Sequence, residues 1–143
     1  MNRRMIAYVL GRILIAEGLL MLPCVAVGLI YAEHAVLAFL PPIALALAAG
    51  LLLGLKKPQN TAIYARDGFF IVAAAWIIMS LIGAVPFALC GYFDSVWDCF
   101  FEVVSGFSTT GATVLKTVEQ RPHCILFWRS FTHWVGGMGV LVF

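Results

Sequence analysis

The chain has 143 residues, 63% of them hydrophobic and 11% charged, with a formal net charge of +2 and a mean hydropathy of +1.01. Soluble domains carry about 25% charged residues, so the composition excludes an ordinary soluble fold and makes membrane lipid the expected surroundings. The small net charge, with no basic patch interleaved with aromatics, gives no argument for a nucleic-acid partner.

The N-terminus reads MNRRM and leads into an apolar stretch from Ile6 to Ala32, interrupted by Arg12 and Glu17. Pro23-Cys24-Val25-Ala26 is a poor cleavage site for a signal peptide, and the apolar run continues through it. A first membrane helix is predicted from about Tyr8 to Tyr31, with Arg12 near enough to its end to snorkel. Glu17 lies deeper, either as a charge buried among neighbouring helices or as a transport group. Glu33 and His34 mark a polar turn. Ala35 to Leu55 is 21 residues without a charge, enough to span. Pro41-Pro42 falls early in that run, so the second helix starts near there or is kinked. Lys56-Lys57-Pro58-Gln59-Asn60 reads as a loop, and Gly68 to Phe93 as a third span in which Trp76 is packed and Gly83 and Pro86 are candidate bends. The four cysteines (Cys24, Cys90, Cys99, Cys124) show no C-x-x-C spacing, and most sit in or beside apolar runs, which favours packing as small hydrophobes over a disulfide or metal site.

The stretch Ser95 to Leu115, SVWDCFFEVVSGFSTTGATVL, departs from this pattern. Ser95 and Asp98 form an S-x-x-D start signal, with Asp94 and Asp98 suited to the positive end of a helix. From Val96 to about Phe107 such a helix extends roughly 18 Å, too short for a hydrocarbon core about 30 Å thick. Gly106 and Gly111 interrupt it, with Ser105, Ser108, Thr109, Thr110 and Thr113 around them. A half-length helix followed by a polar, glycine-punctuated strand reads as a re-entrant loop, which is tolerated at membrane depth only inside protein or along a watery cavity. Backbone carbonyls of such a segment can replace the water shell of a cation, and Gly111 permits backbone angles closed to other residues. The negative end of the half-helix points the same way. No cluster of carboxylates suggests a divalent ion, so a monovalent cation is expected, and these residues do not choose between potassium and sodium. One loop makes only part of a ring; symmetry or internal repetition must supply the rest.

After Lys116, Glu119 and Arg121, Pro122 opens a final segment from about Ile125 to Phe143, with Arg129 and His133 four apart on one face. Arg3, Arg4, Lys56, Lys57 and Arg66 alternate with the acidic turns at Glu33 and at Asp94 and Asp98, so the positive-inside rule puts the N-terminus in the cytoplasm. Phe143 falls in the middle of an apolar run, and the chain is expected to be part of a longer protein.

FFEVVSGFSTTGATVL followed by FWRSFTHWVGGMGVLVF closely resembles the Trk/Ktr/HKT superfamily of potassium transporters, within it the bacterial TrkH/TrkG branch of potassium-uptake membrane subunits. The resemblance implies an all-α polytopic membrane protein of the bacterial inner membrane, with four membrane helix–pore loop–membrane helix repeats in one chain and two extra N-terminal helices. On that plan residues 1–56 are the two extra helices and residues 57–143 the first repeat, truncated in its last helix. It further implies that carbonyls at Thr109, Thr110 and Gly111 face potassium, with Ser108, Ala112 and Thr113 flanking, as one quarter of a selectivity filter. A cytosolic nucleotide-binding regulatory subunit of the TrkA type and a homodimer of full-length chains are the implied partners, with potassium as the ion and no organic cofactor.

Other readings accompany this one. Glu102 on the half-helix and Arg129 on the next helix are either a buried pair bracing the loop or solvent-facing residues of an outer vestibule. His133 reads as a packed or hydrogen-bonded histidine or as an ion ligand; Gly136, Gly137 and Gly139 as sites of close helix approach or of gating. A non-conducting membrane scaffold, or a truncated fragment without transport of its own, is the alternative function. An intramembrane enzyme using Ser105 or Ser108 with His133 lacks a G-x-S-x-G setting and a supporting acid.

Overall fold

The computed structural model describes residues 2–55, 58 and 64–142, with side chains up to residue 139. Among these residues every regular element is helical: α1 (Arg3–Leu20), α2 (Leu22–Ile30), a 3-10 turn (His34–Phe39), α3 (Leu40–Gly54), α4 (Ala65–Cys90), α5 (Val96–Phe107) and α6 (His123–Val142). Apart from Pro58, the expected Lys56–Asn60 loop lies outside the described residues. Three segments, Arg3–Ile30, His34–Gly54 and Ala65–Cys90, are long and apolar enough to cross a membrane. With 20 residues α6 has the length, but Arg129, His133 and three glycines make it less apolar.

The helix bounds follow from local chemistry. α1 starts at Arg3, five residues before the expected Tyr8, because Asn2 Oδ1 accepts from Met5 N at 3.3 Å and caps the first turn. The first span is divided at Met21, two residues ahead of Pro23, whose ring supplies no N–H to the preceding turn. The second span opens as the 3-10 turn and becomes α-helical at Leu40, with Pro41 and Pro42 in the first turn, where a missing N–H costs nothing. α4 runs unbroken through Gly83 and Pro86 and stops at Cys90, short of Phe93, because Gly91 takes a left-handed conformation (φ 68°).

α1 and α3 cross backbone to backbone. A Cβ on Gly11 would lie 2.7 Å from Gly54 N, and one on Gly50 would lie 2.8 Å from Gly11 O; side chains are excluded from this crossing as they are from other tight membrane-helix pairs. The core is centred on Trp128, 1% exposed, which meets Phe39 and Phe107 edge-on with centroids 6.5 and 6.4 Å away. Its Nε1 donates to Gly83 O at 2.9 Å. One α6 side chain therefore joins the 3-10 turn, α4 and α5. Trp76 packs edge-on against Phe107 at 6.1 Å. Cys24, Cys99 and Cys124 are buried, and all four thiols are free. Glu17 is buried, and neither carboxylate oxygen has a hydrogen-bond partner among the described residues.

The two ends of the bundle are tied differently. At one end Asn2 N donates to Asp67 Oδ2 at 3.4 Å, tying the start of α1 to the first turn of α4. At the other, Glu33 caps α6 from ninety residues away: His123 N donates to its Oε1 at 2.7 Å and Cys124 N to its Oε2 at 3.0 Å. A carboxylate at a helix N-terminus satisfies orphan amides and complements the dipole. The cap starts α6 at His123, ahead of the expected Ile125. His123 Nδ1 also lies 2.8 Å from Glu33 Oε1, and the ring stacks on Tyr31 at 3.9 Å. Burial pushes the Glu33 carboxyl up, but the hydrogen bonds from Cys124 and His123 outweigh it and hold it at about 2.

Two outcomes follow from this packing. Gly50→Val is expected to destabilise the detergent-solubilised protein by about 1–3 kcal/mol through overpacking, whereas Gly68→Ala, where a Cβ meets nothing within 4 Å among the described residues, leaves thermal unfolding unchanged or slightly improved. Because the folded Glu33 carboxyl titrates below its ordinary 4.5, its stabilisation is complete above that pH and is lost as pH falls toward 2. Glu33→Gln removes that acid-limb dependence from the unfolding temperature, measured across the same window.

Candidate ion-filter site

The site is built at the C-terminal end of α5. Its start is fixed by Ser95, whose Oγ accepts from Trp97 N at 3.2 Å; Asp98 sits in the first turn, near the positive end. Its end is closed by Thr110 N donating to Ser105 O at 3.0 Å and Thr109 N to Gly106 O at 2.9 Å. This is the Schellman pattern, in which the residue after the cap takes a left-handed conformation and is usually glycine. Here it is Thr109, at φ 57°. A β-branched residue in that region is strained, by about 1–3 kcal/mol. Gly111 is also left-handed, at φ 77°, two residues on.

Beyond this turn the chain is irregular and its surface open. Ser108 to Val114 are exposed, whereas Ser105, Gly106 and Phe107 beneath them are buried. Ser105 Oγ donates to Ala112 O at 2.7 Å, drawing that carbonyl back toward α5. Among the described residues nothing donates to the carbonyl oxygens of Thr109, Thr110, Gly111 or Thr113. Thr109 Oγ1 donates to Ser108 O at 2.7 Å, and the Ser108 and Thr110 hydroxyls lie 2.8 Å apart.

The returning limb hangs on one buried carboxylate. Glu102 is 1% exposed. Its Oε2 accepts from Thr113 Oγ1 and from Val114 N, both at 3.1 Å. Its Oε1 is paired with Arg129 Nε of α6. Thr113 Oγ1 in turn accepts from Leu115 N at 3.1 Å. Glu102 is buried, and the Arg129 side chain is partly exposed, at 19%. Both oxygens are engaged, which is the condition under which a buried charge is tolerated.

α6 is the seat on which α5 and the loop rest, and its residues alternate between fillers and gaps. A Cβ on Gly136 would lie 2.1 Å from Phe107 O, and one on Gly106 2.1 Å from Thr132 Oγ1. Thr109 Cγ2 is the nearest atom to the Cβ position of Gly137, at 3.8 Å, and Trp76 to that of Gly139, at 3.4 Å. Thr132 Oγ1 and His133 Nδ1 both donate to Arg129 O, at 2.7 and 2.8 Å. Ser105, Ser108 and His133 thus make bonds of their own and form no nucleophile–base pair. Among the described residues no group of three or more His, Cys, Asp or Glu side chains is placed to hold a metal ion. The residues read from sequence as a filter lie on one exposed segment, with Glu102 and Arg129 directly behind it. Sequence reasoning missed the tie from Ser105 to Ala112, the Trp128–Gly83 bond and the Glu33 cap.

Helices and loop together define an all-helical, multi-pass membrane protein in which a half-length helix delivers a polar, glycine-bearing loop. Residues 36–143 match the TrkH family of cation transport proteins, and the chain belongs to that family. It is 35% identical, over 99% of its length, to the Trk system potassium uptake protein TrkH of Halomonas elongata and 37% identical to that of Escherichia coli. The crystal structure of the potassium transporter TrkH from Vibrio parahaemolyticus superposes on 99% of the chain with a TM-score of 0.92 at 34% identity. The chain spans 30% of the length of these two sequence relatives and 31% of the crystallised chain.

Replacing Glu102 by Ala leaves Arg129 and two loop donors without a partner. It is expected to cost about 3–5 kcal/mol, measured as a lowered unfolding midpoint of the full-length protein, with Glu102→Gln costing less because an acceptor oxygen remains.

Proposed function

We propose that this chain forms the first pore-loop repeat of a potassium uptake protein and supplies one quarter of its selectivity filter. The observation that carries the reading is the set of undonated carbonyls at Thr109, Thr110, Gly111 and Thr113 on an exposed, left-handed-turning segment braced from behind. Carbonyl oxygens so presented are the ligands that replace the hydration shell of a monovalent cation, and the α5 dipole adds negative potential at the same place. Thr109, Thr110 and Gly111 are the potassium-facing positions, with Ser108, Ala112 and Thr113 flanking. The names of the two relatives above, both potassium uptake proteins, favour potassium over sodium.

In this reading residues 1–56 are an N-terminal helix pair and residues 57–143 the first repeat, completed by three more in the full-length protein. The N-terminus and the Lys56–Lys57 loop lie in the cytoplasm, by the charge asymmetry, and the bilayer is the bacterial inner membrane. A homodimer working with a TrkA-type cytosolic nucleotide-binding subunit follows from family resemblance. A non-conducting scaffold is the competing reading.

The test is potassium-limited growth of an uptake-deficient bacterium carrying the full-length protein, its Gly111→Ser variant or residues 1–143 alone. The full-length protein is expected to restore growth, the variant to lose potassium-over-sodium preference because a side chain at φ 77° distorts the carbonyl ring, and residues 1–143 to fail. Failure of the full-length protein, with its presence in the membrane verified, would favour the scaffold; rescue by residues 1–143 would overturn the one-quarter share.

A further inference from the structure

We propose that His133 is a positioning residue for the filter glycine, and that an acceptor at its Nε2 helps set the potassium preference of this loop. The proposal rests on the potassium-filter reading above and adds a residue to it.

Gly111 has no side chain of its own to hold it, and among the described residues the one heavy atom within 4 Å of its Cβ position, its chain neighbours aside, is His133 Nε2, at 3.9 Å. The other ring nitrogen lies 3.5 Å from the Cβ position of Gly106 on α5. The imidazole therefore fills the wedge between the last turn of α5 and the back of the loop. Its orientation is fixed, because Nδ1 sits 2.8 Å from Arg129 O and a carbonyl only accepts. Nδ1 thus carries the proton, and in the neutral ring Nε2 presents a lone pair toward the loop. Arg129 is itself anchored by Glu102, so the ring is held by the same unit that ties the returning limb.

The chemistry of a carbonyl filter makes an acceptor useful at that spot. Where carbonyls face an ion, the amides of the same peptides turn away from it and need acceptors behind. Ser105 O takes the Thr110 amide at 3.0 Å but the Gly111 amide only at 3.4 Å, so the glycine is the less firmly held of the two. Nε2 stands beside it. A side chain that stopped short of Nε2 would leave a gap behind the one residue whose backbone is freest to move.

The experiment compares His133→Asn and His133→Gln in the full-length protein reconstituted into liposomes, reading the potassium-to-sodium permeability ratio. Asn places its amide near the Nδ1 position and keeps a donor for Arg129 O but ends there; Gln extends an acceptor to the Nε2 position. Size-exclusion profiles verify folding, and the ratio is independent of how much protein folds. The expected result is a several-fold fall in the ratio for His133→Asn and a ratio close to wild type for His133→Gln. An unchanged ratio in His133→Asn would overturn the proposal, and an equal fall in both would overturn the acceptor role of Nε2. A wild-type protein with no preference for potassium would instead sink the filter reading itself.

Discussion

The structure depends on a single carboxylate. Glu102 lies in the last half of a helix too short to cross a membrane, and it engages three groups from two other segments: Arg129 on α6 and the Thr113 hydroxyl and Val114 amide on the returning limb. An irregular chain at membrane depth has to find partners for its polar groups within the protein. Here one limb of the loop finds them in the closing turn of α5 and the other in Glu102. Among the described residues, what remains undonated is the carbonyls of Thr109, Thr110, Gly111 and Thr113, on an exposed segment. Leaving these carbonyls free while satisfying the limbs on either side is thus achieved by the same few residues.

The second constraint is closeness. α6 lies so near α5 that at Gly136 and Gly106 a methyl group would overlap a carbonyl or a hydroxyl. That distance brings Arg129 within reach of Glu102 and the His133 ring within reach of Gly111. Close-packed interiors transmit small displacements rather than absorbing them, so the gaps left by glycine and the groups facing them work as one unit. The THWVGGMG run is therefore a set of fittings for the element in front of it, read at helical spacing.

Much of this was legible in the residues. The half-helix was bounded at Val96 and Phe107 by its cap signal and its glycines, and the structure places it there. The contact between Glu102 and Arg129 was one of two open readings, and the burial of Glu102 that accompanies it is something no local pattern reports. What stayed hidden was non-local or against propensity. Glu33 reads as half of a polar turn because its partners are ninety residues away. Thr109 reads as a filter residue, but nothing in a threonine announces a left-handed backbone, which belongs by preference to glycine. The missed break at Met21 was signalled by Pro23, which a continuous run of hydropathy conceals.

The Glu33 cap also bears on how the protein is made. A helix entering a bilayer with bare first-turn amides has few ways to satisfy them there. Since Glu33 precedes His123 by ninety residues, its carboxylate is translated well before α6 leaves the ribosome. The segment that carries the cap is therefore synthesised before the helix that it caps.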